Sequence, residues 1–373
     1  MKKPVLFLSV LSTFSGAVQA QSSVTLFGVV DAGLNYISND GGKANWTLTS
    51  GVIQGSRWGL KGIEDLGGGL KAVFQVENGF SVTNGTLGQS GRMCGRQAWF
   101  GLNSRSVGAL TLGRQYDDLV DFVQPVTGAT VSGLAHPFDN DNLVDVIRIN
   151  NSIKYTSADY NGFTFGGLYG FSNSPGAGFA SNRAWSLGAG YVGGALTLGA
   201  GYLHLNNPNS NAIGAVTGEY PSVVLAGFTG AVTREVVWGG GATYVLGSTK
   251  VGLVYSHSEF DSTAASLKFD NFEIHADYQV TPALLLGGRY TFTNGVVDPA
   301  GTKPKYHQFE LAVDYALSKR TDVYLTGAYQ KATGDATHAV LAPDTFGAGG
   351  SFAPDASSNK SQGLARVGMR LRW

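Results

Sequence analysis

The last eleven residues, GLARVGMRLRW, alternate without a break. Ala365, Val367, Met369, Leu371 and Trp373 fall on one parity, and Arg366, Gly368, Arg370 and Arg372 on the other. Alternation of this kind is a β-strand with one apolar and one charged face. The same period runs through the chain. In GLKAVFQVENGF, Leu70, Ala72, Phe74 and Val76 oppose Lys71, Val73, Gln75 and Glu77; FEIHADYQV sets Phe272, Ile274, Ala276, Tyr278 and Val280 against Glu273, His275, Asp277 and Gln279. HQFELAVDYAL opposes Phe309, Leu311, Val313, Tyr315 and Leu317 to Gln308, Glu310, Ala312 and Asp314. Apolar residues recur at i+2, which excludes amphipathic helices. Each segment offers about ten residues, the length of a tilted strand crossing a bilayer.

The connections sort into two kinds. Seven are short: 64–68, 104–108, 158–162, 192–194, 246–249, 281–282 and 317–320. Eight longer ones lie between them, at about 37–55, 79–95, 117–147, 172–183, 206–233, 259–270, 294–305 and 332–362. Long and short alternate throughout, so fifteen connections predict a 16-stranded antiparallel barrel, all-β, with both termini at the short-turn end. Aromatic residues toward strand ends (Tyr36, Trp58, Phe80, Trp99, Tyr191, Tyr202, Trp238, Tyr290, Tyr315 and Trp373) read as interfacial girdles.

The chain start changes the picture. MKK, the apolar VLFLSVLSTF and the small-residue AVQA form a secretory signal peptide, with cleavage expected after Ala20 and a barrel domain over 21–373. Cleavage removes Lys2 and Lys3, leaving 24 basic against 26 acidic side chains. Such a balance favours no nucleic-acid partner. Beyond residue 20 no apolar run approaches the ~20 residues of a spanning helix, so entry into a membrane must be by strands. The 54 glycines are about twice the usual ~7% share, and 14% charged residues fall well below the usual ~25%. Cys94 stands alone, which rules out an internal disulfide.

Energetics then separates a membrane barrel from a soluble one. An arginine facing lipid at mid-membrane costs about 2–4 kcal/mol, and burial in a dry core without partners is no cheaper. The charged faces therefore line a wet lumen: Lys61, Lys71, Glu77, Lys154, Glu273, Asp277, Arg289, Glu310, Asp314, Arg366 and Arg370. An outer-membrane barrel enzyme is a remote alternative. The histidines at 136, 204, 257, 275, 307 and 338 form no catalytic or metal signature, and His275 with Asp277 is a pairing that polar strands produce readily. A soluble secreted β-sandwich adhesin would not need strands this long.

Specific stretches carry a family resemblance. SSVTLFGVVDAGL, SRWGLKGIEDLGGGLKAVFQVE, GRQAWFGLNSRSVGALTLGRQYD, IRINNSIKYTS and VGMRLRW resemble strands of the Gram-negative trimeric general porins, in their β-proteobacterial version, over essentially the whole chain. Two departures are Trp373, where the family usually ends on phenylalanine, and Cys94, where a bulky apolar residue is common. The resemblance implies a homotrimer in outer-membrane lipid and lipopolysaccharide. It implies insertion by the barrel-assembly machinery, which reads the terminal Trp373, and passive diffusion of small hydrophilic solutes and ions. No cofactor or metal is implied. A substrate-specific channel of the same architecture is the nearer alternative. The third long connection is expected to fold into the lumen and narrow it. On the wall the resemblance points to Arg57, Arg96, Arg114 and Arg148; on the loop, to Asp117, Asp118 and Asp121, with Asp139, Asp141 and Asp145 as further candidates. Alternation supports Arg57 and Arg148 as lumenal, but Arg114 shares parity with Leu110 and Leu112, and Arg96 with Phe100 and Leu102. For those two, either a bulge intervenes or apolar residues turn inward or into a subunit interface.

Overall fold

The computed structural model describes residues 22–144, 147–217, 232–341 and 357–373. The signal segment, Asp145, and parts of the connections at 206–233 and 332–362 lie outside them. The strands are β1 (Ser23–Asp40), β2 (Lys43–Ser50), β3 (Arg57–Gly67), β4 (Leu70–Gly79), β5 (Gln97–Ser104) and β6 (Gly108–Gln115). After them come β7 (Ile149–Ser157), β8 (Phe163–Gly170), β9 (Arg183–Gly193), β10 (Leu196–Asn206), β11 (Val232–Leu246) and β12 (Thr249–Ser262). The last are β13 (Ser266–Thr281), β14 (Leu284–Asp298), β15 (Pro304–Ala316), β16 (Thr321–Gly334) and β17 (Ser361–Arg372). Two short helices, α1 (Asp118–Val123) and α2 (Ala129–Ser132), occupy the third long connection.

Each strand pairs antiparallel with its neighbours, and β17 pairs back onto β1, closing the sheet. β2 and β3 share one place in the wall, because β1 pairs with both. The seventeen ladders are therefore sixteen staves. Between Ala32↔Ser50 and Val29↔Arg57, three steps along β1 stand opposite seven along β2–β3. The excess of four is even, so every side chain keeps its face across the irregularity.

All seven short turns fall where alternation predicts them. Several connections read as irregular are instead strand: β1 runs to Asp40 and turns at Gly41–Gly42 into β2, and β12, β13 and β14 extend well past the expected ends. Polar residues such as Asn45, Asp270 and Asn294 masked these extensions, since above the membrane both strand faces are wet.

The outer face is apolar and exposed, from Leu26 and Leu34 through Phe100, Leu253, Ile274 and Leu311 to Val367 and Met369. Rings touch along its long-connection side: Trp185–Tyr202 at 4.8 Å, Trp238–Tyr255 at 5.4 Å, Tyr255–Phe272 at 5.0 Å and Tyr290–Phe309 at 4.8 Å. Tyr191, Tyr244, Tyr278, Tyr315 and Trp373 are exposed at the other end. Two aromatics from the sequence reading fall outside these bands. Trp99 pairs with Gln75 and donates to Gln97 on the inner face, and Phe80 lies beyond the end of β4.

At the seam, Gly28 and Trp373 exchange backbone hydrogen bonds of 3.2 and 3.1 Å. The indole lies over Gly28 so closely that any side chain there would collide with it.

Candidate functional site

The inner face is built from the polar parity of the strands, and the third long connection packs against it. α1 docks on β9 and β10. It can do so because Gly166, Gly188, Gly190, Gly199 and Gly201 stand where it presses: a Cβ on Gly201 would lie 2.7 Å from Leu119 Cα, and one on Gly190 3.0 Å from the Phe122 ring. Farther along, Gly128 N donates to Glu273 Oε1 (2.7 Å), and Gln308 Nε2 to the Ala135 carbonyl (2.9 Å). His136 bridges Asp141 (2.6 Å) and Glu273 (2.9 Å). Burial alone would lower the His136 pKa, but Asp141 and Glu273 outweigh it and raise it to about 10.

Three of the four predicted arginines meet on one stretch of this inner wall. Arg57 opens β3, Arg96 immediately precedes β5, and Arg148 immediately precedes β7. Arg57 and Arg96 approach Glu77 Oε1 on β4 at 3.4 and 2.7 Å. Arg96 and Arg148 both donate to the Tyr116 hydroxyl, at 2.9 and 3.3 Å, and Arg148 stacks 5.2 Å over the Tyr116 ring. Burial would raise the Tyr116 phenol, yet Arg148 and Arg96 hold it below its ordinary value. Arg96 escapes the parity of Phe100 and Leu102 because alternation ends where β5 begins.

Arg114 does not join them. It pairs across to Ala98 on the parity of Leu110 and Leu112, and its guanidinium donates to the Gly95 carbonyl (2.7 Å), the Arg148 carbonyl (3.2 Å) and Asn150 Oδ1. It braces the segments carrying Arg96 and Arg148. A register shift between Gly113 and Gln115 lies beside it, but the extra residue belongs to β7.

The loop aspartates also depart from expectation. Asp117 caps α1, accepting from Leu119 N (2.8 Å) and Val120 N (3.2 Å) and from Asn142 (2.9 Å). Burial, helped by the nearby Asp118 and Asp121, raises its pKa to about 7 against the pull of Lys154. Asp118 accepts from Ser186 Oγ at 2.5 Å, and Asp121 pairs with Lys154 Nζ at 2.5 Å. A helix starting at Asp118 needs its cap and first turn for itself, which turns these carboxylates from the arginines. Asp141 serves the His136 latch, and Asp139 is buried in the same segment.

The remaining predicted positions all lie on the inner face, though with unequal access to water. Lys61 and Lys71 are exposed. Glu273, Arg289 and Glu310 are buried beneath the loop, where Arg289 bridges Glu273 (3.3 Å) and Glu310. Asp277 pairs with Lys250 (2.8 Å), and Arg370 with Asp314 (2.8 Å) and Asp322 (3.0 Å). Arg366 corrects the expectation of a wetted lumenal arginine. It is fully buried and bound to Asp31 (3.2 Å), Asn35 (2.7 Å), Thr49 (2.7 Å) and Tyr324 (2.7 Å). The sequence reading missed Tyr116, Asp31 and Tyr324. Asp31 had a signal, as a charge set within the apolar stretch LFGVVDAGL of β1; Tyr116 had none, because it lies past the end of β6.

A closed sixteen-stave barrel, apolar outside and charged inside, is a membrane channel in outline. Residues 8–335 match the Gram-negative porin family. The chain belongs to that family. An outer membrane porin protein of Bordetella pertussis is 35% identical over 373 residues, covering 89% of this chain and 94% of its own. Outer membrane porin protein 32 of Delftia acidovorans is 31% identical, with 99% of both chains covered. Among solved structures, the anion-selective porin from Comamonas acidovorans superposes with a TM-score of 0.76 at 24% identity, covering 95% of this chain and all of the other. The porin therefore resides in the Gram-negative outer membrane and forms a water-filled channel for passive diffusion of small hydrophilic solutes.

Proposed function

We propose that Arg57, Arg96 and Arg148 form the selective wall of the porin's passage, with Arg114 holding two of them in place and α1 narrowing the opening opposite. The carrying observation is the convergence of guanidiniums on one phenol and one carboxylate, Tyr116 and Glu77. Charged side chains lining a narrow polar passage set ion preference. Two charges a few ångströms apart interact by roughly 1–4 kcal/mol between water and a protein surface, enough to bias ions without trapping them. The reading is a modest anion preference in a general diffusion channel that performs no catalysis and needs no cofactor or metal. It includes signal-peptide removal after Ala20, assembly as a homotrimer in lipid and lipopolysaccharide, and insertion by the barrel-assembly machinery through Trp373.

The test is electrical. Neutralising Arg57 and Arg148 together to glutamine should move the zero-current potential in a KCl gradient toward cation preference. Most of that shift should vanish in molar salt, where screening shortens to about 3 Å. An unchanged potential at low salt would place the selective wall elsewhere.

A further inference from the structure

Gln308, Gln330 and Gln362 stand abreast on β15, β16 and β17, paired in register and buried on the inner face. Their partners are the backbones of two long connections. The Gln330 amide meets Val340 of the last connection as a neighbouring strand would. Val340 N donates to Gln330 Oε1 (2.6 Å), and Gln330 Nε2 donates back to the Val340 carbonyl (2.7 Å). Beside it, Leu341 N donates to Gln362 Oε1 (2.8 Å). In the other direction, Gln330 Nε2 donates to Gln308 Oε1 (2.8 Å), and Gln308 Nε2 to the Ala135 carbonyl of the third connection (2.9 Å). Arg289 holds the preceding carbonyl, that of Leu134, at 2.5 Å.

Apolar contacts follow the same line. Leu134 of the third connection and Leu341 of the last share one buried cluster with Ala328 and Leu364 of the wall. Phe138 packs against a second cluster, which holds Tyr306, Ala336 and Val340. A primary amide has one accepting and one donating end. Val340 settles which end of Gln330 is which, Gln330 settles Gln308, and Gln308 then presents a donor to Ala135. Reversing any one amide would set like against like in a buried site, where an unmade hydrogen bond is costly. Buried networks of this kind act as a unit.

We infer that Gln308 and Gln330 are positioning residues of the passage. Through them the last long connection holds residues 134–138 of the third against the β15–β17 wall, so that a pull on the last connection from the cell surface loosens the passage. The arginine wall sets which ions pass, and the glutamine rung keeps another side of the passage clear. Thr337 and His338, next to the link, are exposed and within reach of such a pull. The inference rests on the porin reading for the passage itself and for its orientation, long connections outward.

The test uses the full porin in planar bilayers, each variant first shown to be a folded barrel by heat-modifiable migration on a gel. Q330L removes the amide from the wall, V340P removes only the N–H that the last connection gives it, and Q308L frees Ala135 directly. K331Q, exposed on the outer face of the same stave, is the control. The rung variants should lose mean conductance and gain open-channel noise, because the freed segment strays into the passage, while K331Q matches the parent. Q330L with V340P should go no further than the larger single change, since both break one link. Summed effects, or rung variants that behave like K331Q, would overturn the inference. A second measurement pulls from outside and needs no wall variant to fold. T337C in a C94S background, its only thiol, is biotinylated and loaded with streptavidin on the long-connection side. Noise should rise in this protein and should rise no further when V340P has already broken the link. An equal rise with and without V340P would mean plain obstruction and would overturn the coupling. The two readings stay apart: a parent without channels defeats the porin reading, whereas a conducting parent with silent rung variants defeats only this one.

Discussion

At the scale of single residues, the inner wall spends its charges in two ways. Some face water, as Lys61 does, or belong to the proposed selective wall, as Arg57, Arg96 and Arg148 do. Others are fasteners, and Arg366 is the clearest. With Arg366 and Asp31 both fully buried, removing one partner leaves the other charge stranded, which costs about 3–5 kcal/mol. Asp31→Ala should therefore lower the urea midpoint of the folded barrel strongly, while Asp31→Leu with Arg366→Met should cost much less; midpoints measured side by side decide it. His136 is a second fastener, faced by Asp141 and Glu273, with Arg289 and His275 bound to the same Glu273. Its folded pKa of about 10 stands above the ordinary 6.5, so its contribution is complete below about pH 6.5, declines as pH rises, and is gone above 10. Open-channel current noise should grow from pH 7 to 10 in the parent. In His136→Ala it should be high at every pH, and noise in the parent that ignores pH would refute the latch.

Among the elements, strands were legible and the helix was not. Two-residue alternation needs only neighbours along the chain, so GLARVGMRLRW and FEIHADYQV declare both their structure and their faces. α1 is six residues long and depends on the wall it touches. Its local signal is a cap and a first turn, Asp117 and Asp118, which read equally well as pore acids. Arg114 was misplaced for a related reason: its parity was visible, but the backbone carbonyls it ties were not. The real signature of α1 lies in other elements, as inward glycines on three successive strands: Gly166 in TFGG, Gly188 and Gly190 in LGAG, and Gly199 and Gly201 in LGAGY. High glycine content was thus partly a docking site. Gly201→Val should overpack that contact, costing about 1–3 kcal/mol, and should push α1 toward the axis, lowering single-channel conductance. Gly327→Ala, on the open outer face with its nearest atom at 3.8 Å, should change neither quantity.

For the whole molecule, the alternation of short and long connections sets the orientation. A biotin-acceptor tag in the turn at 299–301 should be labelled on intact cells, and one at Ser318–Lys319 should stay silent; the reverse would invert the barrel. Deleting Trp373 should reduce the yield of folded barrel, whereas Trp373→Phe should not, because an aromatic ring still lies over Gly28. Equal yields from deletion and parent would remove Trp373 from assembly. That contact at Gly28 also has a meaning in time. The wall is sealed by joining the first strand to the last residue, the pairing with the greatest separation along the chain, and such contacts form late because they close the longest loop. Until β17 meets β1 the sheet is a ribbon with two raw edges, and no part of the pore can be watertight before those two strands have joined.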